Sequence, residues 1–209
     1  MRSRVSRRKT QPRGVTQVGN GTTHWICEKW SEEACEFTRK KLWLPKFAPV
    51  SSEELRRIIG DPEEIREVHG NLLLNEGIAR LQDMTMIATV VTNQTASNPW
   101  SNANAYLGVG DSNTAEAATQ TELQAATNRF YKAMNATFPS RSGQTVSFVS
   151  DFTGTEANYA WAEWSVAAGA TTASGAGFTT GTTNLQRKVA ALGTKASGTW
   201  TLTAQVTFS

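Results

Sequence analysis

Residues 200–209 read Trp-Thr-Leu-Thr-Ala-Gln-Val-Thr-Phe-Ser. Trp200, Leu202, Ala204, Val206 and Phe208 fall on one side of an extended chain; Thr201, Thr203, Gln205 and Thr207 fall on the other. An unbroken period of two is the pattern of a β-strand with one buried face, and threonine on the outer face adds strand propensity. A strand at a terminus frays unless neighbours hold it, so this one is expected at the centre of a sheet. Working outward from it, the other strands should complete a sheet or sandwich.

Upstream, several segments carry the same period. Ala105–Gly110 reads as a strand running into a glycine turn, and Arg129–Met134 and Thr145–Phe152 alternate. In 158–166, Tyr159 and Trp161 occupy one parity and Trp164 and Val166 the other, which requires a bulge near Ala162. Leu185–Leu192 reads as a further strand. Residues 167–183 are an Ala/Gly/Thr-rich loop with one apolar residue, Phe178. Residues 93–104 form a polar loop around Trp100, and 114–124 suggest one helical turn near Leu123. The expected fold class is therefore mainly β: an antiparallel, jelly-roll-like β-sandwich over 68–209, preceded by one or two helices and an extended basic arm.

The N-terminal third is different text. Residues 1–22 hold Arg2, Arg4, Arg7, Arg8, Lys9 and Arg13 with no acid and little that could form a core. They read as an extended arm that orders on contact. Without interleaved aromatics for base stacking, an acidic protein partner is expected rather than specific nucleic acid. Residues 1–70 carry a net +4 and 71–209 a net −1, out of +3 overall. Residues 23–67 read as a helical or extended attachment segment. Cys27, Trp30, Ala34 and Phe37 follow helical spacing, although Trp25 and Cys27 also alternate. Trp43, Leu44, Pro45, Phe47 and Pro49 make a proline-broken apolar connector that lies across a surface, its own or a neighbour's. Ser51 with Glu54 is a capping box opening a short helix that stops at Gly60. Ile65–His69 reads as a strand and Leu72–Met86 as a helix, with Gly77 placed for close approach of another backbone. With seven Trp in 209 residues, Trp25, Trp30, Trp43 and Phe47 are expected as partner contacts. Trp100 and Phe178 are candidates for surface recognition.

No apolar run is long enough to span a bilayer, and the basic N-terminus lacks the apolar stretch of a secretory signal. Synthesis and assembly in a cytoplasm are expected, with Cys27 and Cys35 reduced and packed. Chemistry-bearing patterns are sparse. Gly108-Val109-Gly110-Asp111 lacks the third glycine and the βαβ context of a nucleotide turn. Glu156 and Glu163 lie seven residues apart, and Glu163 is expected in an ion pair or backbone contact near Arg187 or Lys188. His24, Cys27 and Cys35 fit no zinc module, and neither His24 nor His69 has a nucleophile arranged for a triad. No catalytic residue, metal or cofactor is expected.

Six stretches, in order, resemble a family of tailed-bacteriophage virion structural proteins. They are Gly70–Gly77, Asn104–Ser112, Thr119–Leu123, Glu156–Trp164, Asn184–Lys188 and Leu192–Leu202. A weaker similarity joins them to attachment domains of tail-collar fibres. The resemblance covers about residues 68–209 and implies a non-enzymatic virion protein. Its partners would be the major capsid protein or neck and tail proteins, with homo-oligomerisation and no membrane role. It would decorate or cement a capsid or sit at its neck. A tail-fibre adaptor and a host-surface carbohydrate-binding sandwich are the alternatives.

Overall fold

The computed structural model describes residues 21–82, 100–169 and 183–208. The six basic arm residues, Phe178 and the expected helix beyond residue 82 lie outside the described residues. Among the described residues, ten strands and three helices are arranged as two five-stranded antiparallel sheets packed as a β-sandwich.

The first sheet has the order β2 (Glu64–His69), β1 (Gly21–Trp30), β10 (Thr199–Phe208), β7 (Thr145–Phe152), β6 (Ser140–Ser142). The second has the order β3 (Leu72–Leu73), β9 (Thr183–Thr194), β8 (Ala160–Ala168), β4 (Ala105–Gly110), β5 (Arg129–Ala133). The alternating stretch at 200–208 sits where its pattern requires, third of five strands. It pairs with β1 from Gly21↔Phe208 to Trp30↔Thr199 and with β7 on its other side. Trp200, Leu202, Ala204 and Val206 are buried, whereas Phe208 at the sheet's rim is exposed.

Between the sheets lies one core. Trp25 and Cys27 of β1, Leu107 and Val109 of β4, and Phe148 and Phe152 of β7 meet Trp161, Trp164 and Val166 of β8. The aromatic rings pack edge to face, with Trp161 4.8 Å from Phe152 and 4.9 Å from Trp200, and Trp25 5.9 Å from Trp164. This geometry sets ring edges against negative ring faces. Trp161 and Trp164 both reach the core because the β8–β9 register shifts between Trp161 and Glu163, the bulge that the change of parity demanded.

Residues 23–67, expected as a helical or extended attachment segment, are built into the sandwich: they supply most of β1 and of β2. The helical spacing across 27–37 spans a strand–helix junction. Ser31 accepts a hydrogen bond from the Ala34 N–H and caps helix α1 (Glu32–Lys41). Helix α2 (Ser52–Ile58) opens with the Ser51–Glu54 capping box. The two helices close a second small core of Trp30, Ala34, Cys35, Val50 and Leu55 on the outer face of the first sheet. Beneath them Thr199 and Thr201 are buried. Thr199 Oγ1 donates to the Val50 carbonyl at 2.9 Å, and Thr201 Oγ1 to Asp151 at 2.7 Å. Burial raises both cysteine thiols, Cys27 to about 12, as suits packed, inert thiols.

Helix α3 (Asn75–Gln82) packs on β9. A Cβ at Gly77 would stand 2.5 Å from Leu185 Cα, so the close approach read from the sequence is real. Residues 114–124 form no helix. Side-chain hydrogen bonds from Gln120, to the Ala115 carbonyl and from the Ala117 N–H, replace the helical ones.

Candidate functional site

The polar residues with most potential for chemistry converge on the outer face of the second sheet. Glu163 on β8 and Arg187 on β9 are both fully buried and pair at 2.6 Å. Glu163 also accepts the N–H of Gln124 at 2.9 Å and of Ala125 at 2.7 Å. Arg187 donates to Gln120 Oε1 at 2.9 Å and to the Thr114 carbonyl at 3.0 Å. Gly108 and Gly110 lie on the same face, where a Cβ would meet the Tyr131 ring at 2.5 Å and Glu163 Oε1 at 2.5 Å respectively. The glycines belong to strand β4 rather than to a turn or a phosphate loop, and they leave room for the carboxylate and the phenol.

Five of the six stretches singled out in order along the sequence, from Gly70–Gly77 to Asn184–Lys188, therefore meet in one place. The first of them contributes Glu76, which accepts the Asn184 N–H at 2.6 Å, and Asn184 in turn donates to the Thr121 carbonyl at 2.7 Å. The result is a clasp that pins residues 111–128 over the sheet. Every strong donor and acceptor in the Glu163–Arg187 pair is engaged, and no open face is left for a substrate. Its role is to hold the fold: of the ion pair or backbone contact expected for Glu163 near Arg187 or Lys188, the structure makes the ion pair with Arg187. Glu156 is occupied elsewhere, accepting from Lys132 at 2.5 Å and from the Thr153 N–H at 2.8 Å.

The expected contact aromatics separate sharply. Trp25 and Trp30 are fully buried, one in each core, and offer no surface to a partner. A tryptophan on an alternating strand faces whichever layer covers it: Trp25 faces the second sheet, and Trp30 lies beneath helices α1 and α2. Trp100 is half-buried against the main core, with the Arg80 guanidinium 5.0 Å from its ring, and makes no free recognition platform.

Trp43 and Phe47 behave in the opposite way, being 93% and 86% exposed. Their positions are fixed by backbone geometry. At the end of α1 the N–H of Leu44 donates to the Arg39 carbonyl at 2.9 Å and that of Trp43 to the Lys40 carbonyl at 3.4 Å. This pair of bonds closes a helix through one left-handed residue, normally glycine. Here it is Trp43, with φ 55°, at a steric cost of about 1–2 kcal/mol for an L-residue. Two residues on, Pro45 to Ala48 form a turn closed by a 3.0 Å bond from the Ala48 N–H, with Phe47 at its corner. Arg39 braces the connector from below, donating to the Ala48 carbonyl at 2.8 Å and pairing with Glu32 at 2.7 Å.

The rim is cationic. Lys41 lies over the half-exposed Phe37 ring at 5.4 Å and Lys46 over Phe47 at 5.3 Å. A strained backbone that holds a bulky aromatic in water is a local expense that packing does not repay, and such outliers concentrate at contact sites. The proline-broken connector marked this region in the sequence. The left-handed tryptophan could not be read there, because residue type at a helix end does not reveal φ. Comparison with protein-family models, with curated proteins and with solved structures finds no match.

Proposed function

We propose that this chain is a non-enzymatic structural protein of a tailed-phage virion, decorating or cementing the capsid or sitting at its neck. It docks on a neighbouring virion protein through the knuckle at residues 37–47. The observation that carries the docking is Trp43, held in a left-handed conformation and almost wholly exposed. The virion setting is supported by the ordered resemblance of 68–209 to phage structural proteins. Aromatic anchors surrounded by lysines fit an apolar pocket rimmed by carboxylates, the arrangement that gives an interface a hot spot and a steering charge. The basic residues of 1–22 would extend the same charge complementarity.

The knuckle gives the proposal an unusual test, because strain and docking pull in opposite directions. Trp43→Gly relieves the left-handed strain, so thermal unfolding should stay level or rise slightly. Co-purification with particles should nevertheless fall at least tenfold, the loss of an aromatic hot spot. Trp43→Ala keeps the strain and should lose docking without the gain. Full loading of Trp43→Gly onto particles would overturn the knuckle as the docking element. Cryo-electron microscopy with mass spectrometry of intact particles reads position and copy number. Hundreds of copies place the chain on the shell, a dozen or fewer at the neck or tail, and absence from particles overturns the virion reading.

A further inference from the structure

We propose that His24, Glu67 and His69 form a binding site for a first-row divalent cation of the zinc type on the open end of the first sheet. Cross-strand pairing places His24 directly opposite His69, while Glu67 pairs with Ile26 and so sits diagonally beside His24 on the same face. The two imidazole rings are stacked at 4.3 Å with planes 5° apart, and His24 Nε2 lies 2.8 Å from a Glu67 carboxylate oxygen. One ligand atom from each of the three residues lies within 4.8 Å of the others.

Two points of chemistry bear on a cation there. Imidazole lone pairs lie in the ring plane, so the half-buried His24 and exposed His69 side chains must turn out of their stacked arrangement until both ring planes meet at one ion. With metal–nitrogen bonds of about 2.0–2.1 Å, a tetrahedral ion then holds the two nitrogens about 3.4 Å apart, and the cross-strand pairing keeps both side chains within reach of it. Two histidines and one carboxylate match the donor set of zinc and related ions and leave a position for water or a fourth ligand.

The surroundings leave room. Helices α1 and α2 cover the other end of this sheet face. Here His24 and His69, with Asn71, Gln205 and Thr207, line a shallow hollow of about 350 Å³, with Glu67 outside its lining. Gln205 is the cross-strand neighbour of His24 on β10. A bound ion would tie the edge strand β2 to β1, strengthening an edge otherwise free to fray or to pair with another chain. The separation of His24 from Glu67 and His69 along the chain explains why local spacing gives no metal signature.

The site is independent of the docking knuckle and is tested on the full chain, stripped with chelator and titrated with ZnCl₂ by calorimetry and thermal unfolding. One ion per chain is expected, with a rise in Tm that grows with zinc concentration, since a ligand of the folded state stabilises by mass action. His69→Ala should weaken binding at least tenfold, and Glu67→Gln should weaken it less. His69 and Glu67 are exposed, so both variants should keep the metal-free Tm of the natural chain, which separates lost ligation from lost folding. If His24→Ala unfolds the chain, these two variants still decide the question. No zinc binding at 1 mM overturns the proposal. So does binding that survives His69→Ala unchanged, which would point to the cysteines instead.

Discussion

The outer faces of the two sheets have similar polar sequences and opposite fates. On the second sheet, Glu163, Ser165 and Arg187 are fully buried, roofed by residues 111–128. On the first, the outward row divides. Thr199 and Thr201 are buried beneath α1 and α2, whereas Thr203, Gln205 and Thr207 remain partly exposed beside the histidine pair. A polar residue of a strand acquires its energetic role from what lies over it. Under a roof a charge must be paired, as Glu163 and Arg187 are, because an unpaired buried charge costs several kcal/mol, whereas the neutral Ser165 hydroxyl is buried there without a hydrogen bond. In the open a polar residue is nearly free to vary, or free to bind.

Substitutions can break that comparison at graded strengths. The largest effect is expected from Glu163→Ala, which strands the Arg187 guanidinium and two backbone N–H groups. The loss should be about 3–5 kcal/mol by denaturant unfolding, and an effect under 1 kcal/mol would mean that the roof is not held by the clasp. Next comes Gly77→Ala, which forces a methyl group onto the backbone of Leu185. A loss of about 1–3 kcal/mol is expected, and a neutral result would show that α3 lifts away from β9 at little cost. The smallest effect belongs to Gln205→Ala on the open face. A change within about 0.5 kcal/mol is expected, and a larger one would reveal a cover over that end of the first sheet. Trp43→Gly stands outside this ladder as the substitution that should cost no stability while costing association.

Much of the fold was legible because it rests on local rules. The period of two identified β5, β7 and β10, the capping box identified the start of α2, and the change of parity at 161–164 located the bulge. Gly77 was also readable, from the cost of glycine inside a helix, whereas for Glu163 an ion pair or backbone contact near Arg187 or Lys188 was expected and only the structure selected Arg187. The junction at Ser31 was misread because Cys27 and Trp30 are both buried, on opposite faces of β1, Cys27 against the second sheet and Trp30 beneath α1 and α2. Their spacing with Ala34 and Phe37 then imitates a helix. The short strands β3 and β6 carry too few residues to show any period.

The site followed the same division. The connector at 42–50 was visible as apolar and proline-broken, so Trp43 and Phe47 could be singled out, yet Trp25 and Trp30 looked equally available. The amino-acid sequence by itself determined the strands, their buried faces and the sandwich class, because alternation and capping act over a few residues. Tertiary structure alone decided which tryptophans are core and which is presented, and which carboxylate is clasped. It also brought His24 beside His69. Those outcomes depend on layers that meet only after the chain has folded back on itself, and local pattern holds no record of what will cover it.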